Sequence, residues 1–249
     1  TRPGETTADG QAQGIGVRSA GSTLTLQVAG RVGIPEDAVA VVLNVTVTGP
    51  TAAGYATVHP CDGSTPNASN LNYAAGQTIP NMVIAKVGAD GSICLFTLAA
   101  AHLVVDASGF FPTGTVEPLP APARLLDTRP GESTVDGTSA GIGIRESGST
   151  LTVDVAGRAG IPADAAAVVL NVAVTAPEAP GYATVFPCDA AAPTASSLNH
   201  SGGQTISNAV VAKIGADGDV CLFTLSRAHY IIDVAAYFPA GTFEPLAAP

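Results

Sequence analysis

Two histidine–aspartate couples are the residues best placed to do chemistry in this chain. His102 lies four residues before Asp106, and His229 four before Asp233. On an extended strand each pair points to one side. Such a couple can orient a general base, but acyl transfer also needs a nucleophile. No Ser or Cys stands in an elbow such as Gly-x-Ser-x-Gly. The expected role is therefore a strand-edge histidine beside a solvated or backbone-bonded carboxylate, and no enzyme activity is expected.

Other candidate chemistry is thinner. Glycoside hydrolysis needs two acids at a set separation. The recurring acids Glu5, Asp9, Asp37, Asp62, Asp90, Asp106 and Glu117 mostly flank Gly or Pro, where Asp bonds its own backbone. Asp217-Gly218-Asp219 lacks the spaced acids of a calcium loop and reads as a turn. No cofactor or metal is expected. Sugar platforms use exposed aromatic rings, and the chain has no Trp and 5% aromatics. Tyr55 and Tyr182, each after a Gly, are the candidates for a ligand or interface contact, with His102, His229, Asp106 and Asp233.

These residues come in pairs because the chain is written twice. Every residue from Thr1 to Pro122 has a counterpart 127 positions later, without insertion or deletion, and 78 of the 122 aligned positions are identical. Repetition acts as an internal control. His102 matches His229, whereas His59 falls opposite Phe186 and His200 opposite Tyr73. Asp217-Gly218-Asp219 matches Asp90-Gly91-Ser92. Arg2, Arg18, Arg31 and Lys86 recur as Arg129, Arg145, Arg158 and Lys213, natural partners for acids in an acidic protein. Lys86 with Asn44 also raises an intramolecular isopeptide bond. The cysteines fall as Cys61 and Cys94, then Cys188 and Cys221, with the same internal spacing. One disulfide in each copy is the simplest pairing and places the chain in an oxidising compartment. Four thiols on one zinc would show short-spaced ligand pairs, which are missing.

The formal net charge is −10 with basic residues scattered singly, which argues against nucleic acid and anionic membrane as partners. Apolar runs such as Val39 to Val47 are about half the length that crosses a bilayer.

The elements that must position these residues read as short strands. Thr23 to Val28 alternates polar and apolar residues, and Val39 to Thr48 carries Val39, Val41, Leu43, Val45 and Val47 on one face. Gly54 to His59 follows. Thr78 to Val87 and Ser92 to Leu98 suggest a hairpin turning at Ala89-Asp90-Gly91. His102 to Asp106 gives a last strand. Frequent Gly and Pro turns predict an all-β chain of two tandem β-sandwich domains, jelly-roll or Ig-like, with one disulfide each. The expected bounds are 1–116 and 124–249, with Pro-rich 117–123 as a stiff connector.

Arg124-Leu125-Leu126-Asp127-Thr128-Arg129-Pro130-Gly131, Leu170-Asn171-Val172, Gly181-Tyr182, Asp233 and Tyr237-Phe238-Pro239 together resemble a repeat module of secreted actinobacterial proteins. In that family the module stands beside extracellular hydrolases or in arrays of its own. The resemblance spans essentially the whole chain. It implies export from a Gram-positive, high-GC bacterium and says little about activity. One departure stands out: two periods of 127 exceed the 249 residues by five, matching Ala123 to Asp127. Trimming or disorder would explain the deficit, as would a segment supplied by a neighbouring molecule. Either way the first copy is expected to expose an open strand edge, and open edges recruit strands.

The expected function is a secreted structural or adhesive repeat protein of a bacterial surface, assembling head to tail into fibres through self-association or neighbouring repeats. The alternative is a cell-wall or glycan-binding accessory module in which the second copy raises avidity.

Overall fold

The computed structural model describes residues 2–245. The opening Thr1 of the first copy and the terminal residues through Pro249 lie outside the described residues. The protein is all-β, with no helix among the described residues. It divides into unit 1 (Thr1–Thr113) and unit 2 (Gly114–Pro249), each a sandwich of two antiparallel sheets.

Unit 1 holds seven strands: β1 (Ser22–Gln27), β2 (Ala40–Thr48), β3 (Gly54–Pro60), β4 (Leu71–Tyr73), β5 (Thr78–Lys86), β6 (Ser92–Thr97) and β7 (His102–Phe111). One sheet runs β1-β6-β3-β4 and the other β5-β2-β7. Alternation decides the layers. Val41, Leu43, Val45 and Val47 of β2 are at most 1% exposed. Ile93 and Leu95 of β6 and Leu103 of β7 are likewise at most 1% exposed. Burying one such aliphatic side chain stabilises by about 1.5–3 kcal/mol.

Unit 2 repeats the pattern with β9 (Thr150–Asp154) to β15 (His229–Phe238) in two sheets, β12-β11-β14-β9 and β13-β10-β15-β8. The central strands are β10 (Ala167–Thr175) and β15 in one sheet and β11 (Gly181–Phe186) and β14 (Asp219–Thr224) in the other, with β13 (Ile206–Lys213) and β12 (Leu198–His200) at edges. The additional strand is β8 (Glu117–Asp127), an edge strand paired antiparallel with β15.

Two sequence expectations are corrected. The stretch 117–123 is no free connector; it is the first part of β8, with Glu117 opposite Tyr237 and Ala123 opposite Val234. Pro118, Pro120 and Pro122 are tolerated because an edge strand has one unpaired side, where a missing N–H costs nothing. The 78–98 region is likewise no hairpin. β5 pairs with β2, while β6 pairs with β1 and β3 in the opposite sheet. The turn itself forms at the expected place, with Gly91 N–H donating to Gly88 O at 2.9 Å and Asp90 accepting from Ser92 N–H at 3.0 Å. Gly91 has φ +80°, and a Cβ there would strike Gln27 and Ala29. It carries the chain from one layer to the other.

Candidate functional site

The two units differ most at one sheet edge. In unit 2 that edge is closed by β8. Leu126 stands opposite Ile232 and Arg124 opposite Asp233, and the register shifts between these rungs. Leu125 is the extra residue of a β-bulge. Both leucines consequently enter the core cluster, each at 0% exposure.

Arg124 holds the same junction by charge. Its Nε donates to Asp233 Oδ1 at 2.9 Å and its Nη1 to Asp127 Oδ2 at 3.0 Å. Arg129 completes the set through Nη2 and Nε on Asp127, at 2.7 and 2.9 Å. Arg124, Asp127 and Asp233 are all buried. Burial works against the charge on Arg124, but Asp233 and Asp127 more than offset it, and its pKa lies above the usual value. The hydrogen bond to Asp127 raises that of Arg129.

The other side of β8 is clasped by a loop. Val135 N–H donates to Arg124 O (2.9 Å), Asp127 N–H to Ser139 O (3.1 Å) and Gly141 N–H to Asp127 O (2.8 Å). Arg158 adds a bond from Nη2 to Leu125 O at 2.9 Å. That guanidinium is fixed by a two-pronged contact with Asp136, at 2.7 and 2.8 Å. The contact holds the Asp136 carboxyl at a pKa of about 2.

Among the described residues, the matching sheet of unit 1 has β7 at its edge. A groove of about 530 Å³ runs beside it. Its apolar lining includes Leu24, Leu26, Leu43 and Val105, the counterparts of Leu151, Val153, Leu170 and Ile232. Ala8, Ala12 and Gly14 line it too, at the positions from which Val135, Ser139 and Gly141 grip β8. The loop already has the gripping shape: Ala12 has φ 55° and Ser139 φ 58°, a left-handed geometry that costs a residue with a Cβ. Arg31 is held on Asp9 at 2.7 and 2.8 Å, as Arg158 is on Asp136, and also lines the groove. This contact keeps the Asp9 carboxyl well below the usual carboxylate range. Asp106, the counterpart of buried Asp233, is exposed.

The residues singled out from sequence fall into place around this edge. His102 and Asp106 stand on β7 opposite Thr48 and Asn44, four rungs apart and so about 13 Å from each other. The structure does not bring them together. In unit 2 each has its own partner: His229 Nδ1 meets Thr128 Oγ1 at 2.9 Å, and Asp233 meets Arg124. Among the described residues, buried His102 Nδ1 has no partner. Lys86 stands opposite Ala40 whereas Asn44 faces Met82, so the strands separate the two residues of the isopeptide idea.

His59 is buried, its Nδ1 at 2.8 Å from Pro60 O. His200 is buried, and burial pushes its pKa down. Tyr55 packs tilted on Phe96, centroids 5.8 Å apart, and Tyr182 repeats this on Phe223 at 5.9 Å. Cys61–Cys94 and Cys188–Cys221 are disulfides, tying the ends of β3 and β11 to β6 and β14. Asp219 is pushed up by burial and by Asp217 beside it. Among the described residues no three His, Cys, Asp or Glu side chains gather as a metal would require, and no helix is long and apolar enough to cross a membrane.

Sequence reasoning missed the Arg31–Asp9 clamp, although its signal was present. Arg and Asp recur 22 positions apart in both copies, as Asp9 and Arg31, then Asp136 and Arg158.

No family model and no curated protein matches the sequence. Three solved structures are similar in part. The tandem CBM22-1-CBM22-2 domain of Xyn10C from Paenibacillus barcinonensis has 13% identity and a TM-score of 0.25, over 90% of this chain and 85% of that one. The ANXUR1 extracellular domain from Arabidopsis thaliana has 8% identity and a TM-score of 0.27, over 88% and 82%. YhhW from Escherichia coli has 8% identity and a TM-score of 0.20, over 88% and 77%. Scores this low inform neither the chemistry nor the partners of this chain.

Proposed function

We propose that this protein is a secreted structural or adhesive repeat protein of a bacterial surface, whose units link to further repeats. The observation that carries the reading is the duplication itself: two β-sandwich units with 78 of 122 aligned positions identical, each tied by its own disulfide. Like units that meet through two different faces give chains of molecules rather than closed pairs.

Other features support the reading. Each unit carries its own disulfide, which suits an oxidising exterior. His102 with Asp106 and His229 with Asp233, the couples able to serve a base, are held apart. Light scattering and electron microscopy of the purified protein test the assembly. Mass growing with concentration is expected; a strictly monomeric species at high concentration would sink the proposal.

The rival, a wall- or glycan-binding module, would use Tyr55 and Tyr182 as its platform. Their rings lie half-buried against Phe96 and Phe223, as packing residues do. Saturable retention on cell walls that weakens in the Tyr55→Ala/Tyr182→Ala double variant would favour the rival instead.

A further inference from the structure

We infer that the Cys61–Cys94 bridge of unit 1 is a site of thiol–disulfide exchange, opened by a dithiol reductant with His59 serving the sulfur that leaves. This goes beyond the assembly reading and does not rest on it.

Register places the parts. Across β1, β6 and β3, Cys94 stands between Thr25 on one side and His59 on the other. Such cross-strand partners carry their Cβ atoms about 4.5–5.5 Å apart. Thr25 Oγ1 lies 3.7 Å from Cys94 Sγ. His59 is 3% exposed. Its Nδ1 faces Pro60 O, which can only accept, so that nitrogen carries a proton. Nε2 is the working end of the ring, buried and without a hydrogen-bond partner among the described residues. Cys61 is partly exposed and Cys94 is buried, so a reductant meets Cys61 first.

A reductant thiolate attacks Cys61 Sγ and forms a mixed disulfide as the Sγ–Sγ bond breaks. The electron pair leaves on Cys94 Sγ, to which protonated His59 donates from Nε2, making a thiol. The second thiol of the reductant then attacks the reductant sulfur of the mixed disulfide and releases Cys61, which takes its proton from water. The dithiol is oxidised to a disulfide and the bridge is reduced to two thiols. A leaving sulfur stabilised in this way departs faster.

Unit 2 is the built-in control. There Cys221 stands between Thr152 and Phe186, so the bridge and the threonine are kept and the imidazole is not. Phe186 is buried as His59 is. Charge widens the difference. Asp154 stands opposite Asp219 where unit 1 has Gln27 opposite Ser92, and negative charge disfavours both an incoming and a leaving thiolate. The other ionisable neighbours are shared: Asp62, Lys86 and Asp90 recur as Asp189, Lys213 and Asp217. β1 and β6 carry no further ionisable side chain, and β4 brings Tyr73, whose hydroxyl is taken by Thr97.

The test treats the whole folded protein with dithiothreitol, quenches in acid, alkylates the freed thiols and follows each bridge by peptide mass spectrometry. Cys61–Cys94 should open about tenfold faster than Cys188–Cys221. Taking the ratio of the two rates cancels the thiolate concentration. That ratio should rise as pH falls from about 8 to about 6, the range in which histidine takes up its proton. His59→Phe installs the residue that unit 2 holds at this place. It should remove most of the rate difference and flatten the pH dependence of the ratio. Phe186→His should speed the opening of Cys188–Cys221 and make it rise relative to a histidine-free bridge as pH falls, which keeps the proposal open to refutation even where His59→Phe does not fold. Equal rates at the two bridges overturn the proposal. So does a ratio that is flat with pH, a ratio indifferent to His59→Phe in a folded variant, or a Phe186→His bridge that opens no faster.

Discussion

Arg124 shows how one side chain can hold an element in place. It neutralises two carboxylates that are themselves almost fully buried, Asp233 and Asp127. Removing one member of such a set leaves charge unpaired in a low-dielectric site, typically at a cost of 3–5 kcal/mol. Arg124→Ala should therefore lower the urea stability of unit 2 by about 3–5 kcal/mol, followed by far-ultraviolet circular dichroism, and leave unit 1 unchanged. A second residue-scale prediction concerns acid. The Asp136 carboxyl is depressed from 3.8 to about 2 by Arg158. Its contribution is thus full above about pH 5 and is lost as pH falls from about 4 towards 2. Asp136→Asn should flatten that part of the stability–pH curve; an unchanged acid limb would refute the role of the clamp. His200 acts earlier and in the same direction. Burial depresses its pKa, so the unfolded chain takes up the proton first and stability declines as pH drops below 6.5. Its place in the fold has a simple origin. Thr97 Oγ1 is met by the Tyr73 hydroxyl at 2.8 Å, whereas Thr224 Oγ1 is met by Tyr230 at 2.7 Å. His200 stands where Tyr73 stood, and the hydroxyl moved to another strand.

At the scale of elements, the disulfides and the edge strand do different work. Each disulfide spans 33 residues and joins the end of one strand to its neighbour. Closing a loop of that length restricts the unfolded chain and stabilises by about 3–4 kcal/mol in the chain-entropy picture. Reduction should lower both unfolding transitions together, with little change in secondary structure at 25 °C; a shift of one transition alone would contradict equal roles. β8 illustrates why some of the fold was legible and some was not. The alternation in β2 and the acids, glycines and prolines at turns reflect local chemistry, so strands and turns could be placed from them. Which sheet a strand joins depends on partners far away in sequence. Ala89-Asp90-Gly91 looks the same whether it closes a hairpin or crosses between layers. Pro118, Pro120 and Pro122 read as a spacer until β15 supplies the partner on one side.

At the scale of the whole molecule, the two copies are expected to differ in stability despite their shared sequence. Unit 2 buries Leu125 and Leu126 completely, and unit 1 has a groove at the matching place. Two buried leucines contribute several kcal/mol. Differential scanning calorimetry of residues 1–249 should resolve two transitions, the lower belonging to unit 1; coincident transitions would refute this.

The sequence by itself determined the duplication, the all-β character, the pairing of cysteines and the shortfall of five residues, because these depend on local pattern and on comparing one half with the other. Tertiary structure alone decided where the segment Ala123 to Asp127 belongs, at the β15 edge of unit 2. Only folding brings β7, the loop through Ala12 and the Arg31–Asp9 clamp to one place, because burial and hydrogen bonding are satisfied between residues nearly a hundred positions apart. The bulge that sends two adjacent leucines to the same side likewise arises from pairing with β15, and no run of residues announces it.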